Sequence, residues 1–233
     1  MVGGLFLLEK LNRCKAPFYV QFELTTRCNN KCFFCYNNIG STYGDELSTA
    51  EIKRILHEMS EVGVFRINFN GGEPLMRDDF FEICQYAHDL GFELHMNTNA
   101  TLIDKVTAKR ISQYMKSVCV SILSDIPQEH DSMSGRKGTF KEVIIGMDNL
   151  KSENVGIEVN VCTMMKNYKK LLPIAEMAVQ HGCYTICSTR YILTDPSQSD
   201  LLMTPEATIE LLNILNLIES KVGYPLKAGQ PLK

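Results

Sequence analysis

The chain has 233 residues, 45% of them hydrophobic and 22% charged, with a formal net charge of -3. That balance excludes a basic surface built for nucleic acid, and no apolar run reaches the roughly 18 residues of a membrane span, so neither nucleic acid nor membrane is an expected partner. The length suits one domain, since α/β barrels commonly take about 200 to 250 residues.

Residues 1–17 read as a mixed lead-in without the basic region and cleavage site of a signal peptide. The nine cysteines are an odd total with no disulfide-like framework, so a reducing, cytoplasmic setting is expected. A β-rich run at 18–24 is followed by a loop bearing Cys28, Cys32 and Cys35, and a polar stretch then leads to a helix with a capping box at Ser48 and Glu51 and a stop at Gly63. One theme repeats from there. Strands are predicted at 65–69, 92–97, 118–123, 156–162 and 184–192, and helices at 79–90, 105–115, 139–150, 168–180 and 205–222. Thr139 and Glu142 read as a second capping box, and Thr204 as the cap before Pro205. Six β/α units imply a parallel sheet with right-handed crossovers, and chemistry at the carboxyl ends of the strands. Local pattern leaves open whether the sheet is doubly wound or part of a barrel. Residues 223–233, punctuated by Gly and Pro, read as a connector.

Three thiolates spaced C-x3-C-x2-C can wrap one metal centre. A structural zinc normally takes four Cys or His ligands in two pairs, and the residues after Tyr36 offer neither. A 4Fe-4S cluster is usually held by four cysteines, so three leave one iron open to a non-protein ligand. Directly after the second strand comes Asn70-Gly71-Gly72-Glu73-Pro74. Paired glycines let backbone approach a ligand closely, and a carboxylate beside backbone carbonyls suits an ammonium group; the plain alternative is a turn with a helix-initiating proline.

The cysteine spacing, with Phe34 just before the third cysteine, resembles the signature of the radical S-adenosylmethionine (radical SAM) enzymes, and Gly71 to Pro74 match the family's Gly-Gly-Glu-Pro motif letter for letter. The resemblance covers about 18–222 and implies an α/β fold with a partial (β/α)6 TIM-like barrel. It implies a 4Fe-4S cluster on Cys28, Cys32 and Cys35, with S-adenosyl-L-methionine on the fourth iron. Gly71, Gly72, Glu73 and Pro74 would hold the amino group, Ser121 and Asn160 would meet the carboxylate and ribose, and Phe34 would pack near the adenine. Phe34 could equally be core, and Ser121 and Asn160 solvated strand ends. Relatives often read Ser-Leu-Asp where this chain has Ser121-Ile122-Leu123. They also often carry an arginine soon after a His-Asp pair; Arg136 takes that role or is a solvated loop charge. Asn99 and Arg190 are weaker candidates.

The implied reaction is reductive cleavage of SAM and hydrogen abstraction from a peptide or small molecule, with a low-potential donor such as flavodoxin or ferredoxin. The pattern most resembles the peptide- and protein-modifying branch, in which auxiliary-cluster cysteines would follow about where this chain stops. An iron-sulfur electron carrier and a zinc-stabilised module are the competing readings. Cys183 and Cys187, four apart, share one strand face and suit burial better than a second cluster. His57, His88 and His181 fall on predicted helices as surface or core residues.

Overall fold

A computed structural model describes residues 16–37, 46–222 and 227–228. Its elements are β1 (Tyr19–Thr25), α1 (Thr49–Glu61), β2 (Arg66–Gly71), α2 (Phe80–Asp89), β3 (Glu93–Thr98), α3 (Lys105–Ile111), β4 (Met115–Ser121), α4 (Pro127–Ser134), α5 (Thr139–Ser152), β5 (Gly156–Thr163), α6 (Leu171–Gln180), β6 (Cys183–Arg190), α7 (Pro205–Val222) and a two-residue β7 (Lys227–Ala228). The strands pair in parallel, each beside the next in sequence. A doubly wound sheet reverses its order at a switch point. Here the order never reverses, so right-handed crossovers carry every helix to one face and leave the other as the concave wall of a partial barrel.

Strand periodicity explains the two faces. Ile67, Phe69, Met96, Val118, Val159 and Ile186 point toward the helices and are buried in one continuous core with Ile52, Ile83 and Met147. Removing each such side chain from water contributes about 1.5–3 kcal/mol. The alternate residues are polar and line the concave face: Glu23 pairs in register with Asn70, Cys119 with Glu158, and Ser121 with Asn160 and then Cys187. At the barrel floor a hydrogen-bonded row crosses five strands, from Arg66 through Glu93, His95, Ser117 and Glu158 to Tyr184.

Several expectations are revised. The Ser48–Glu51 capping box forms, but the one expected at Thr139 and Glu142 does not. Gly138 caps α5 at φ 88°, the Thr139 hydroxyl bonds Asp131 Oδ1 at 2.8 Å, and Glu142 pairs with Arg136. Helix α4 was not expected; Pro127 opens it and Gly135, at φ 71°, closes it. Helix α3 ends at Ile111 and β4 begins at Met115, three residues before the predicted strand start. Within the predicted connector, 227–228 add to the sheet edge and the remainder lies outside the described residues, as does most of the lead-in.

Candidate cofactor site

The cysteine loop makes few backbone bonds with itself. Cys35 N donates to Cys32 O at 3.1 Å, and Asn30 N donates to Cys28 Sγ at 3.4 Å. Its shape comes from the turns around it. On one side Gly72 N donates to Thr25 O at 2.7 Å and Glu73 N to Arg27 O at 2.8 Å. A Cβ on Gly71 would sit 2.3 Å from Thr25 O, and one on Gly72 2.1 Å from Arg27 O. The backbone that the paired glycines admit is therefore that of the cysteine loop. Pro74 is buried and starts a 3-10 turn, Pro74–Met76, in which Glu73 caps the Leu75 amide.

On the other side, the α4–α5 turn grips the loop. Lys31 N donates to Ser134 O at 2.9 Å, and Arg136 Nε donates to Asn30 Oδ1 at 3.1 Å while its other nitrogens hold Glu142. A Cβ on Gly135 would meet Lys31 O at 2.3 Å. Arg136 is thus not a solvated loop charge. Asn99 Nδ2 bonds Asn29 Oδ1 at 2.8 Å and lies 3.7 Å from Cys28 Sγ, Asn29 Nδ2 donates to Thr101 Oγ1 at 2.8 Å, and Gln198 Nε2 donates to Phe33 O at 3.1 Å.

Burial pushes the thiols of Cys28 and Cys35 up and that of Cys32 to about 12, with the charges of Cys35 and Cys28 adding to the effect at Cys32. Thiolates in this loop are costly until cations compensate them. Among the described residues no three His, Cys, Asp or Glu side chains converge closely enough to hold a single metal ion. Glu73 is 0% exposed. Burial raises its carboxyl to about 7, against hydrogen bonds from the Asn99 amide at 2.8 Å and Thr98 Oγ1 at 2.7 Å.

Ser121, the last residue of β4, stands beside Asn160, which lies within β5, and Asn160 Oδ1 is a buried acceptor without a hydrogen-bond partner, as a site awaiting a donor-bearing ligand would leave it. Phe34 stands edge-on to Phe33 at 5.4 Å and packs on the small cluster of Leu123, Met133, Met164, Tyr191 and Leu201. Arg190 is exposed and pairs with Thr163, on the strand positions that alternate away from the concave set, so it does not line the chamber. Cys183 and Cys187 do not share a face: a register shift between Ile157 and Glu158 puts Cys183 opposite Ile157 in the core and Cys187 opposite Asn160 on the concave side. His57 and His88 are exposed, and His181 bonds Asp148 at 2.7 Å.

Missed from sequence were Asn29, Asn30, Thr98 and Cys162. Cys162 follows Asn160 on the same face, and its thiol is raised to about 12 by burial and then by the charge of Cys35. His130, read from sequence only as part of the His130-Asp131 pair before Arg136, is buried and accepts from the Leu123 amide at 3.3 Å.

Fold and site together define a partial parallel barrel whose first loop presents three thiols, locked to the Gly-Gly-Glu turn of the next strand. The family model for the radical SAM superfamily matches residues 22–178, and the chain belongs to that superfamily, whose members use a 4Fe-4S cluster and SAM. It is 30% identical over 181 residues to the Fe-coproporphyrin III synthase of Methanosarcina barkeri, covering 77% of this chain and 45% of that protein. It is 31% identical over 182 residues to the mycofactocin maturase MftC of Mycobacterium tuberculosis, covering 76% and 46%. The chain thus spans about half the length of these relatives. Its fold is similar to the crystal structure of Streptococcus suis SuiB bound to S-adenosylmethionine, with a TM-score of 0.81 at 16% identity over 98% of this chain and 53% of that one.

Proposed function

We propose that residues 18–222 form the catalytic core of a cytoplasmic enzyme that cleaves SAM reductively and takes hydrogen from a peptide or protein substrate. When bound, the 4Fe-4S cluster and SAM supply the difficult chemistry, one electron cleaving the sulfonium to methionine and a 5'-deoxyadenosyl radical that abstracts hydrogen. The chain's own residues bind and orient. Cys28, Cys32 and Cys35 hold three irons; the turn from Gly71 to Pro74, with Ser121, Asn160 and Phe34, holds the methionyl, ribose and adenine parts of SAM. The observation that carries this reading is the pair of backbone hydrogen bonds from Gly72 and Glu73 to the cysteine loop, which fixes the cluster ligands against the turn that would receive the amino acid end of SAM. An electron carrier would have no use for that arrangement.

The electron would come from a low-potential donor such as flavodoxin or ferredoxin, since cluster potentials span roughly -700 to +450 mV and a sulfonium needs the negative end. Among the described residues no cysteine is in a disulfide and no helix is long and apolar enough to cross a membrane.

Electrostatics favours a peptide over a tetrapyrrole, the substrate class that the name of one relative suggests. Carboxylate-bearing rings need cations. Among the described residues the concave positions of β1 to β6 offer Arg66 and His95 as basic groups, both already bonded to Glu93, at 2.7 and 3.1 Å, amid carboxamides and carboxylates that suit N–H donors. The test is anaerobic reconstitution with iron and sulfide, then dithionite and SAM. The chain should release 5'-deoxyadenosine, and Cys32→Ala should not; cleavage retained by that variant would refute the assignment.

A further inference from the structure

The carboxylate that the sequence assigns to the ammonium group of SAM has little acceptor capacity left. Glu73 is fully buried, and its oxygens already accept from Thr98 Oγ1 at 2.7 Å, the Asn99 amide at 2.8 Å and the Leu75 amide at 3.3 Å. An ionised carboxylate offers about four lone-pair sites and an ammonium group carries three donors. Acceptors besides Glu73 are therefore needed.

The same turn holds one that nothing else explains. Asn70, immediately before Gly71, is 6% exposed, and its Oδ1 has no hydrogen-bond partner, while its Nδ2 donates to Gln21 Oε1 at 3.3 Å. It pairs in register with Glu23 and alternates with Ile67 and Phe69, which face the helices, so it belongs to the concave face. Buried acceptors are seldom left unsatisfied, because losing water without gaining a donor is costly. An orphaned one on a chamber wall marks a place where a donor arrives from outside the polypeptide. A neutral carboxamide also suits a cation close to thiolates, where a second free carboxylate would raise the negative charge around the cluster ligands.

We propose that Asn70 is a SAM-binding residue, its Oδ1 accepting a hydrogen bond from the α-ammonium group beside the Gly71–Gly72 turn. This rests on the reading that the site binds SAM, and it adds a side chain to the role that the resemblance gave to Gly71, Gly72, Glu73 and Pro74.

The test is equilibrium binding to the anaerobically reconstituted chain of two ligands, SAM and its analogue lacking the α-amino group, for wild type, Asn70→Leu and Asn70→Asp. Leucine keeps the volume and removes the acceptor; aspartate keeps the acceptor. Asn70→Leu should weaken SAM by at least about fivefold, a loss of about 1 kcal/mol, while the analogue's affinity stays the same as in wild type. Asn70→Asp should keep or raise the preference for SAM over the analogue. An unchanged SAM affinity in Asn70→Leu, as expected if only water meets Oδ1, overturns the proposal, and so does an equal loss for both ligands. Iron content and melting temperature report whether each variant is folded and loaded. If Asn70→Leu takes up no iron, Asn70→Asp decides, and a fall in its preference for SAM overturns the proposal. A wild-type chain that binds neither ligand would overturn the site assignment as well, whereas binding that ignores Asn70 overturns only the role of that residue.

Discussion

Gly72 has no side chain because the backbone of another strand's loop occupies the space. With Arg27 O only 2.1 Å from where a Cβ would stand, Gly72→Ala must push the cysteine loop away and break the 2.8 Å bond from Glu73 N to Arg27 O. Overpacking of this kind costs about 1–3 kcal/mol. The expected result is a lower midpoint in urea and a chain that takes up less iron than wild type under the same reconstitution; unchanged values of both would show that the loop yields freely. His130 makes a separate prediction. Burial holds its imidazole near 4, below the ordinary 6.5, so the folded state keeps it neutral where the unfolded chain would bind a proton. Its contribution is complete above pH 6.5 and is lost as pH falls toward 4, by at most about 3 kcal/mol. Glu73, raised to about 7, acts in the opposite sense, its ionisation costing stability as pH rises from 4.5 to 7, so the measurement is a difference. The stability of His130→Gln relative to wild type should improve steadily from pH 6.5 to 4; a constant offset would contradict the assignment.

At the scale of elements, the cysteine loop is a passive segment held by its neighbours, and the α4–α5 turn is one of the two grips. The bond from Arg136 to Asn30 at 3.1 Å is charge-assisted, a class worth about 1.5–3 kcal/mol. Arg136→Ala and Asn30→Ala should therefore lose iron to a chelator about tenfold faster or more, with the fold kept; wild-type release rates in both would show that the turn grips nothing. None of this grip was legible in the sequence. Asn30 and Arg136 are far apart along the chain, and their contact exists only because α4, which sequence reading passed over, swings the turn back over the loop. Where signals were local the reading served well: Ser48 and Glu51 cap α1 through reciprocal bonds of 2.8 and 3.3 Å. The same pattern at Thr139 misled because Asp131 competes for the Thr139 hydroxyl. Cys183 and Cys187 misled for another reason, since a register shift, which strict alternation cannot foresee, puts them on opposite faces.

At the scale of the molecule, alternating strands and helices made six β/α units legible, while the choice between a doubly wound sheet and a partial barrel waited for the strand order. That order places every apolar strand face under the helices, so the core bears the stability and the concave face is left for chemistry. Phe69, fully buried and 6.1 Å from Phe80 ring to ring, belongs to the core. Phe69→Ala should cost about 3–5 kcal/mol in denaturant unfolding, and a loss below about 1 kcal/mol would mean the core is not continuous there. The proposed chemistry of the concave face depends on Cys28, Cys32 and Cys35 holding a four-iron centre that lacks one protein ligand. Mössbauer spectroscopy of the iron-57 reconstituted chain, with and without SAM, tests this most directly. One iron in four should change its isomer shift when SAM is added; four irons indifferent to SAM, or a chain that assembles no cluster, would contradict the account.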